Sequence, residues 1–216
     1  AQQVQHREAS EFKKDKLKVL AELTKLRQIC CDPRLHYEDY KAGSAKLDTC
    51  MELVYGALDG GHRILLFSQF TGMLDIIGKR LAKEDIAFLK LTGASSKESR
   101  AKMVAQFQAG EVPVFLISLK AGGVGLNLTA ADVVIHYDPW WNVAAQDQAT
   151  DRAHRIGQQH TVTVYKLIAK DTIEERIMQM QESKRDLVNS VLGGDGISSA
   201  LFTREDVLTL LGGDGR

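Results

Sequence analysis

Between residues 62 and 167, short apolar runs alternate with amphipathic segments of helical length, and this alternation constrains the fold more than any other feature of the chain. The predicted strands are Ile64–Phe67, Ala87–Leu91, Val112–Ile117, Val133–Ile135 and Val162–Leu167. The predicted helices between them are Thr71–Lys83, Ser96–Gln108 and Val143–Ile156. Strands that alternate with helices favour a parallel sheet with helical crossovers. We therefore expect an α/β fold built on an open parallel sheet.

Further amphipathic helices are predicted on both sides of this region. The first is indicated by apolar residues at helical spacing, namely Leu17, Leu20, Leu23, Leu26 and Cys30. We expect Asp32–Pro33 to end it. The other two are Lys46–Leu58 and Asp171–Leu192. Two helices also have a predicted capping box, formed by Ser95 with Glu98 and by Asp171 with Glu174.

The composition excludes several classes of protein. The 28 basic side chains balance 28 acidic ones, so any binding of nucleic acid must come from a local group of donors. The three cysteines form no C-x-x-C pair, which fits buried thiols in a reducing compartment without a structural metal site. No signal peptide and no apolar run of about 18 residues is present, so we expect a soluble intracellular protein. Because the chain begins without Met, we expect a piece of a longer protein.

The segment from Gln148 to Gln158 contains two arginines, Arg152 and Arg155. Residues three and four apart share a helix face, so a helix here would present Gln148 and both guanidinium groups together, as phosphate binding requires. The alternative is an ordinary surface pair of Asp151 with Arg155, worth a few tenths of a kcal/mol. The sequence has no G-x-x-x-x-G-K-[ST] segment. The arginines therefore suit a nucleotide that another part of the protein holds.

Small polar residues follow three of the predicted strands, where parallel sheets bind their ligands. They are Ser68–Gln69, Thr92–Gly93 and the glycine-rich segment Ser118–Gly125, which includes Lys120. Hydroxyls, a lysine and unobstructed amides are suited to the backbone of a nucleic acid, so the predicted binding is independent of base sequence. The alternative is that these residues only make turns, and we favour it for the first two sites taken alone.

The segment Asp138–Asn142 follows the fourth predicted strand. An acid at a strand end can hold the magnesium of a bound nucleotide, but this sequence has no P-loop to bind a triphosphate. We therefore interpret Asp138 as a helix-entry residue. We expect Trp140 to pack in the core at the edge of the domain. Trp141 is the candidate for stacking against a nucleotide or flanking DNA.

Three segments, Ser118–Asp132, Asp138–Asn142 and Asp147–Gln158, resemble motifs V and VI of the SWI/SNF-type superfamily-two helicase-like ATPases. Residues 64–71 look like motif IV, and 26–33 look like the segment that precedes the second lobe in that family. The similarity extends over about residues 20–192. One departure is Val143, where the family commonly has proline.

This resemblance implies a P-loop NTPase-like, RecA-like C-terminal lobe of a DNA-stimulated ATPase that translocates on double-stranded DNA and remodels protein–DNA complexes. It assigns Arg152 and Arg155 to the γ-phosphate as arginine fingers. The residues expected to bind the nucleotide are Gln148, Gly123, Gly125 and Asn127. Those expected to contact DNA are Ser68, Gln69, Thr92, Gly93, Ser118, Lys120, Ala121 and Trp141.

The same resemblance sets the expected cofactors, partners and domains. ATP and Mg would be bound mainly by the first lobe, so this chain alone should be inactive and should partner that lobe, double-stranded DNA and a DNA-bound protein complex. We expect no membrane contact, and a nucleoid or nuclear location according to the source. The predicted domains are an N-terminal helical segment at 1–42, the RecA-like lobe at 43–170, a brace-like helix at 171–192 and a tail at 193–216.

Two other functions are alternatives to a motor lobe. A non-catalytic DNA- or protein-binding module that retains the lobe fold remains the alternative, although a scaffold has no physical need for paired arginines. A dinucleotide-binding oxidoreductase is excluded, because no G-x-G-x-x-G follows the first predicted strand.

Overall fold

The structure is a computed structural model of the 216-residue chain, and it describes residues 18, 20–122, 126–140, 143–154, 158 and 160–192. Two compact units are present, one at 41–170 and one formed by the described parts of 1–40 and 171–216. The second unit contains helix α1 (residues 20–31), the short 3-10 helix Pro33–Leu35 and helix α7 (Ile173–Leu192). As predicted, α1 ends directly before Asp32, whose side chain caps the 3-10 helix. The predicted tail at 193–216 lies outside the described residues.

The 41–170 unit is built on one five-stranded sheet in the order β2-β3-β1-β4-β5, and all four strand pairs are parallel. The strands are β1 Ile64–Ser68, β2 Phe88–Leu91, β3 Val114–Ser118, β4 Val133–His136 and β5 Thr163–Lys166. The helices are α2 Ala45–Asp59, α3 Thr71–Lys83, α4 Lys97–Ala109, α5 Leu119–Gly122 and α6 Val143–Thr150. The α/β fold with an open parallel sheet flanked by helices is therefore confirmed.

Burial explains why the strands could be recognised from sequence. Strands β1, β3 and β4 are buried along their whole length, as continuous apolar runs in a parallel sheet should be. Phe107 of α4 lies in the same apolar core as Phe67 and Phe115 of the sheet. Gly78 lets α3 approach the sheet closely, because a Cβ there would lie 2.9 Å from the Phe88 ring. The thiols of Cys31 and Cys50 are buried, as predicted, and burial raises the pKa of Cys50 to about 12.

Three predicted helix boundaries were wrong. Ser96, rather than Ser95, caps α4 by accepting a hydrogen bond from the Ser99 N–H, because the Ser95 hydroxyl accepts the Thr92 N–H instead. Helix α7 starts at Ile173, where the Thr172 hydroxyl accepts the Glu174 N–H and Glu175 accepts the Asp171 N–H. Helix α6 ends at Thr150 instead of Ile156, as described below.

The strand order defines where a ligand-binding crevice can form. The chain leads from β1 towards β2 and from β4 towards β5, so it leaves two adjacent strands in opposite directions. In open parallel sheets, ligands bind beyond the carboxyl ends of the strands at such a reversal. The ends of β1 and β4 are therefore the expected position of the functional site.

Candidate functional site

The polar residues at the strand ends lie in a row. Ser68 and Ser118 are register partners at the ends of β1 and β3, and Thr92 follows β2 beside β3. The structure thus brings together three of the predicted DNA-contacting positions along one edge of the sheet. Gly93 is exposed and open space lies where a side chain would begin, so its backbone is accessible.

The hydroxyl groups in this row make hydrogen bonds within the chain. Ser68 is buried, and its Oγ donates to Asp138 Oδ1 at 2.5 Å and accepts from the Phe70 N–H at 3.1 Å. Ser118 is also buried, and its Oγ accepts from the Ala121 N–H at 3.3 Å. The Thr92 hydroxyl accepts from the Ala94 N–H at 3.3 Å. These side chains therefore fix the turns after the strands and thereby orient the backbone amides there.

Asp138 has a role that sequence reasoning missed. It is 1% exposed and accepts hydrogen bonds from Ser68 Oγ and from the Gln69 N–H, at 3.3–3.4 Å for the latter. The interpretation as a helix-entry residue was wrong, because α6 begins only at Val143 and the carboxylate instead joins the ends of β4 and β1. The only sequence signal was the occurrence of a hydroxyl and a carboxylate immediately beyond two strands. Their contact spans 70 residues of chain, so no local pattern predicts it.

The segment with the paired arginines departs from the predicted geometry. Helix α6 ends at Thr150, and residues 151–154 form a turn in which the Arg152 and Ala153 N–H groups bond three residues back instead of four. Arg152 is 2% exposed, whereas Gln148 is exposed on α6. These two side chains therefore do not share one open helix face. Arg155 lies outside the described residues, and so does any pair with Asp151.

A buried histidine fixes the end of α6 to the sheet. His136, the last residue of β4, stacks on Phe67 and places Nε2 2.9 Å from the Thr150 hydroxyl oxygen. Since the Thr150 hydroxyl donates to the Gln146 carbonyl at 3.3 Å, its oxygen accepts from the imidazole Nε2–H. Burial, and secondarily the charge of Lys166, lowers the pKa of His136 from 6.5 to about 4.

The depressed pKa of His136 predicts a loss of stability in mild acid. The unfolded chain takes up a proton at this imidazole below pH 6.5, whereas the folded chain resists protonation until about pH 4. The stability is thus fully present above pH 6.5 and falls as the pH is lowered, by about 2 kcal/mol at pH 5. Urea unfolding of the wild type and of His136→Asn at pH 7.5 and pH 5 should show this drop only in the wild type. An equal drop in both proteins would contradict it.

The remaining predicted site residues differ in their exposure, and several lie outside the described residues. Asn127 is exposed and Ala121 is buried, with its carbonyl accepting from Arg100 Nη1 at 3.3 Å. Gly123, Gly125, Trp141 and the side chain of Lys120 lie outside the described part of the structure. Trp140 packs against the apolar core, as predicted.

A pocket of about 370 Å³ lies at the opposite edge of the sheet, at the amino ends of the strands. It is lined by Arg63, Gln108, Asp132, Gln158 and His160, among others. None of the predicted nucleotide or DNA contacts that the structure describes borders it. Within the described residues, no helix has the length and apolar character to cross a membrane, and no group of three or more His, Cys, Asp or Glu side chains could hold a metal ion.

The sequence of this region matches a known protein family. Residues 45–157, slightly more than half of the chain, match the helicase conserved C-terminal domain. The chain belongs to this helicase family. More narrowly, it is a C-terminal lobe of the SWI2/SNF2 type, since two solved structures of the Sulfolobus solfataricus SWI2/SNF2 ATPase resemble it closely. The C-terminal domain of that ATPase is 35% identical with a TM-score of 0.70, covering 91% of this chain and 78% of that one. Its core in complex with dsDNA is 36% identical with a TM-score of 0.71, covering 91% and 42%.

Curated relatives of this helicase lobe are much longer proteins. An uncharacterized ATP-dependent helicase of Mycoplasma pneumoniae is 42% identical over 91% of this chain and 19% of its own length. The chromatin-remodeling ATPase INO80 of Cryptococcus neoformans is 46% identical over 76% of this chain and 9% of its own length. The chain thus spans a fifth or less of the length of these relatives. Both of these relatives are ATP-dependent enzymes.

Proposed function

We propose that this chain is the second motor lobe of a DNA-dependent ATPase that translocates on double-stranded DNA and remodels protein–DNA complexes. The observation that supports this most strongly is its 36% identity, over 91% of its length, to an ATPase core that was solved in complex with dsDNA. The row of Thr92, Ser118 and Ser68 at the carboxyl edge of the sheet adds a physical reason. The exposed backbone of Gly93 lies in this row, and backbone N–H groups bind phosphates without reading bases.

Arg152 and Arg155 are proposed to act on the nucleotide. A guanidinium group placed at the γ-phosphate stabilises the charge that develops during phosphoryl transfer. Arg152 is buried in the turn after α6, so the residues packed around it fix the position of its side chain, whereas an arginine on the surface would be free to move. Gln148, exposed on the last two turns of α6, is proposed to contact the same nucleotide together with Asn127, Gly123 and Gly125.

The proposed mechanism needs a partner lobe. The sequence has no G-x-x-x-x-G-K-[ST] segment to surround the phosphates, whereas its arginines and Gln148 suit the outer side of a bound nucleotide. ATP and Mg would therefore be held mainly by the first lobe. When both arginines approach that nucleotide, the cleft closes, and the DNA contacts of the two lobes come closer together. Opening after hydrolysis separates them, and repetition moves the protein along one strand.

ATP turnover by the chain and by its parent protein tests this function. The 216-residue chain alone is expected to hydrolyse no ATP with or without DNA, and the full-length protein is expected to hydrolyse ATP in the presence of duplex DNA. Steady turnover by the isolated chain, purified free of contaminants, would overturn the division of labour between lobes. Full-length protein that binds duplex DNA but never hydrolyses ATP would favour the non-catalytic binding module instead.

A further inference from the structure

Gln158 makes an unusual set of hydrogen bonds for one side chain. Its Nε2 donates to three backbone carbonyls, those of Thr129 at 3.1 Å, Ala131 at 2.7 Å and Ala153 at 3.1 Å. Its Oε1 accepts from the His160 N–H at 2.9 Å. Because all the carbonyls need a donor and the N–H needs an acceptor, the orientation of the amide is fixed by its partners.

The three carbonyls belong to two different crossover segments. Thr129 and Ala131 lie in the segment 126–131, which leads from the end of β3 and α5 to β4. Ala153 lies in the turn 151–154 that follows α6. The same two segments are joined a second time by the Leu128 N–H, which donates to the Arg152 carbonyl at 3.0 Å. The segment 126–131 and the turn 151–154 are therefore linked on both the backbone and the side-chain level.

We propose that Gln158 is a positioning residue that couples the segment 126–131 to the arginine turn after α6. This inference rests on the proposed function, in which Ser118–Ala121, which precedes that segment in the chain, contacts DNA and Arg152 contacts the nucleotide. A displacement of the segment 126–131 that follows DNA binding at Ser118–Ala121 is transmitted to Ala153 through the shared amide group. Arg152, directly before Ala153, then moves with the segment 126–131.

Gln108 offers a matched control within the same lobe. It lies on α4, its Nε2 donates to Thr129 Oγ1 at 3.2 Å and its Oε1 accepts from the Ala130 N–H at 2.9 Å. It therefore holds the same segment as Gln158 with a side-chain amide. Among the described residues, the hydrogen bonds of Gln108 reach the segment 126–131 but not the turn 151–154. Loss of Gln108 should loosen the segment without uncoupling it from Arg152.

The test measures the ratio of DNA-stimulated to basal ATP turnover in the full-length protein. Mutations within coupled hydrogen-bonded networks change the coupling by up to about thirtyfold, so Gln158→Leu should lower this ratio about tenfold. Gln158→Glu, which has the same size but lacks the donors, should lower it similarly. Gln108→Leu should keep the ratio within about twofold of the wild-type value, since its loss leaves the coupling intact. The duplex DNA concentration that gives half-maximal stimulation, measured alongside, separates weakened DNA binding from weakened coupling.

Hydrogen exchange of the 216-residue chain provides a second measurement. Gln158→Glu should increase the exchange rate of the Leu128 amide. Gln108→Leu should increase that rate less. If DNA stimulates the wild type and both Gln158 variants to the same extent, the coupling is wrong while the proposed function stands. If DNA fails to stimulate the wild type, the proposed function is wrong and the coupling falls with it, whatever the exchange of Leu128 shows.

Discussion

Replacing Arg152 or Arg155 by alanine in the full-length protein is expected to lower DNA-stimulated ATP turnover about a thousandfold, equivalent to about 4 kcal/mol of lost transition-state stabilisation. The reason is electrostatic, because the transferred phosphoryl group spreads negative charge over its oxygens and a guanidinium in the proposed position would compensate that charge. The effect should fall mainly on kcat, since the positive charge acts chiefly in the transition state.

A matched control separates this loss from a general effect of removing an arginine. Arg80 is exposed on α3 and pairs with Glu84 at 2.5 Å, so Arg80→Ala removes the same charge far from the proposed chemistry. It should change turnover less than about twofold, because exposed ion pairs contribute little. Since Arg152 is buried, its variant is also compared with the wild type in thermal unfolding. Folded Arg152→Ala and Arg155→Ala proteins that both keep wild-type turnover would eliminate the finger assignment.

Asp138→Ala is expected to cost about 4 kcal/mol of unfolding free energy, because the substitution leaves the Ser68 hydroxyl and the Gln69 N–H without their acceptor and each such loss costs about 1–3 kcal/mol. Both bonds lie at the crevice between β1 and β4, and Asp138 is almost fully buried, so water has little access to replace the carboxylate. Urea unfolding of the 216-residue chain at neutral pH measures the loss.

Two further variants sharpen this measurement. Asp151→Ala removes an exposed carboxylate from the turn after α6 and should change stability by less than about 0.5 kcal/mol. In a double-mutant cycle, Ser68→Ala should cost much less in the Asp138→Ala background than in the wild type, since the two side chains form one hydrogen bond. Strictly additive losses would mean that this hydrogen bond does not contribute to stability.

The sheet could be predicted from sequence because its signals are local. Each central strand is apolar at every position except its last, which is how β1, β3 and β4 were found to within one or two residues. The helix α3 was predicted with its observed limits for the same reason. Adjacent serines were harder to distinguish, since Ser95 and Ser96 have the same chemistry and only the backbone path decides which one caps α4.

The site was predicted less completely, because its geometry depends on contacts between distant segments. Pattern alone extends α6 through Arg152, but the Leu128 N–H binds the Arg152 carbonyl and the helix gives way to tighter turns. The hydroxyls of Ser68 and Ser118 were recognised as important, yet the sequence did not reveal that both are buried and bonded within the lobe. Asp138 and Gln158 were missed as organising residues because the partners that join them to other segments, Ser68, Thr129 and Ala131, are 27 to 70 residues away in the chain.

Asp138 joins β1 to β4 at one rim of the sheet, and at the other rim the Gln158 amide joins the segment that enters β4 to the turn after α6. A sheet joined at both rims resists deformation, so its five strands should move together as one rigid body. In a motor that contains this sheet, the stroke length would be set by pivots outside it.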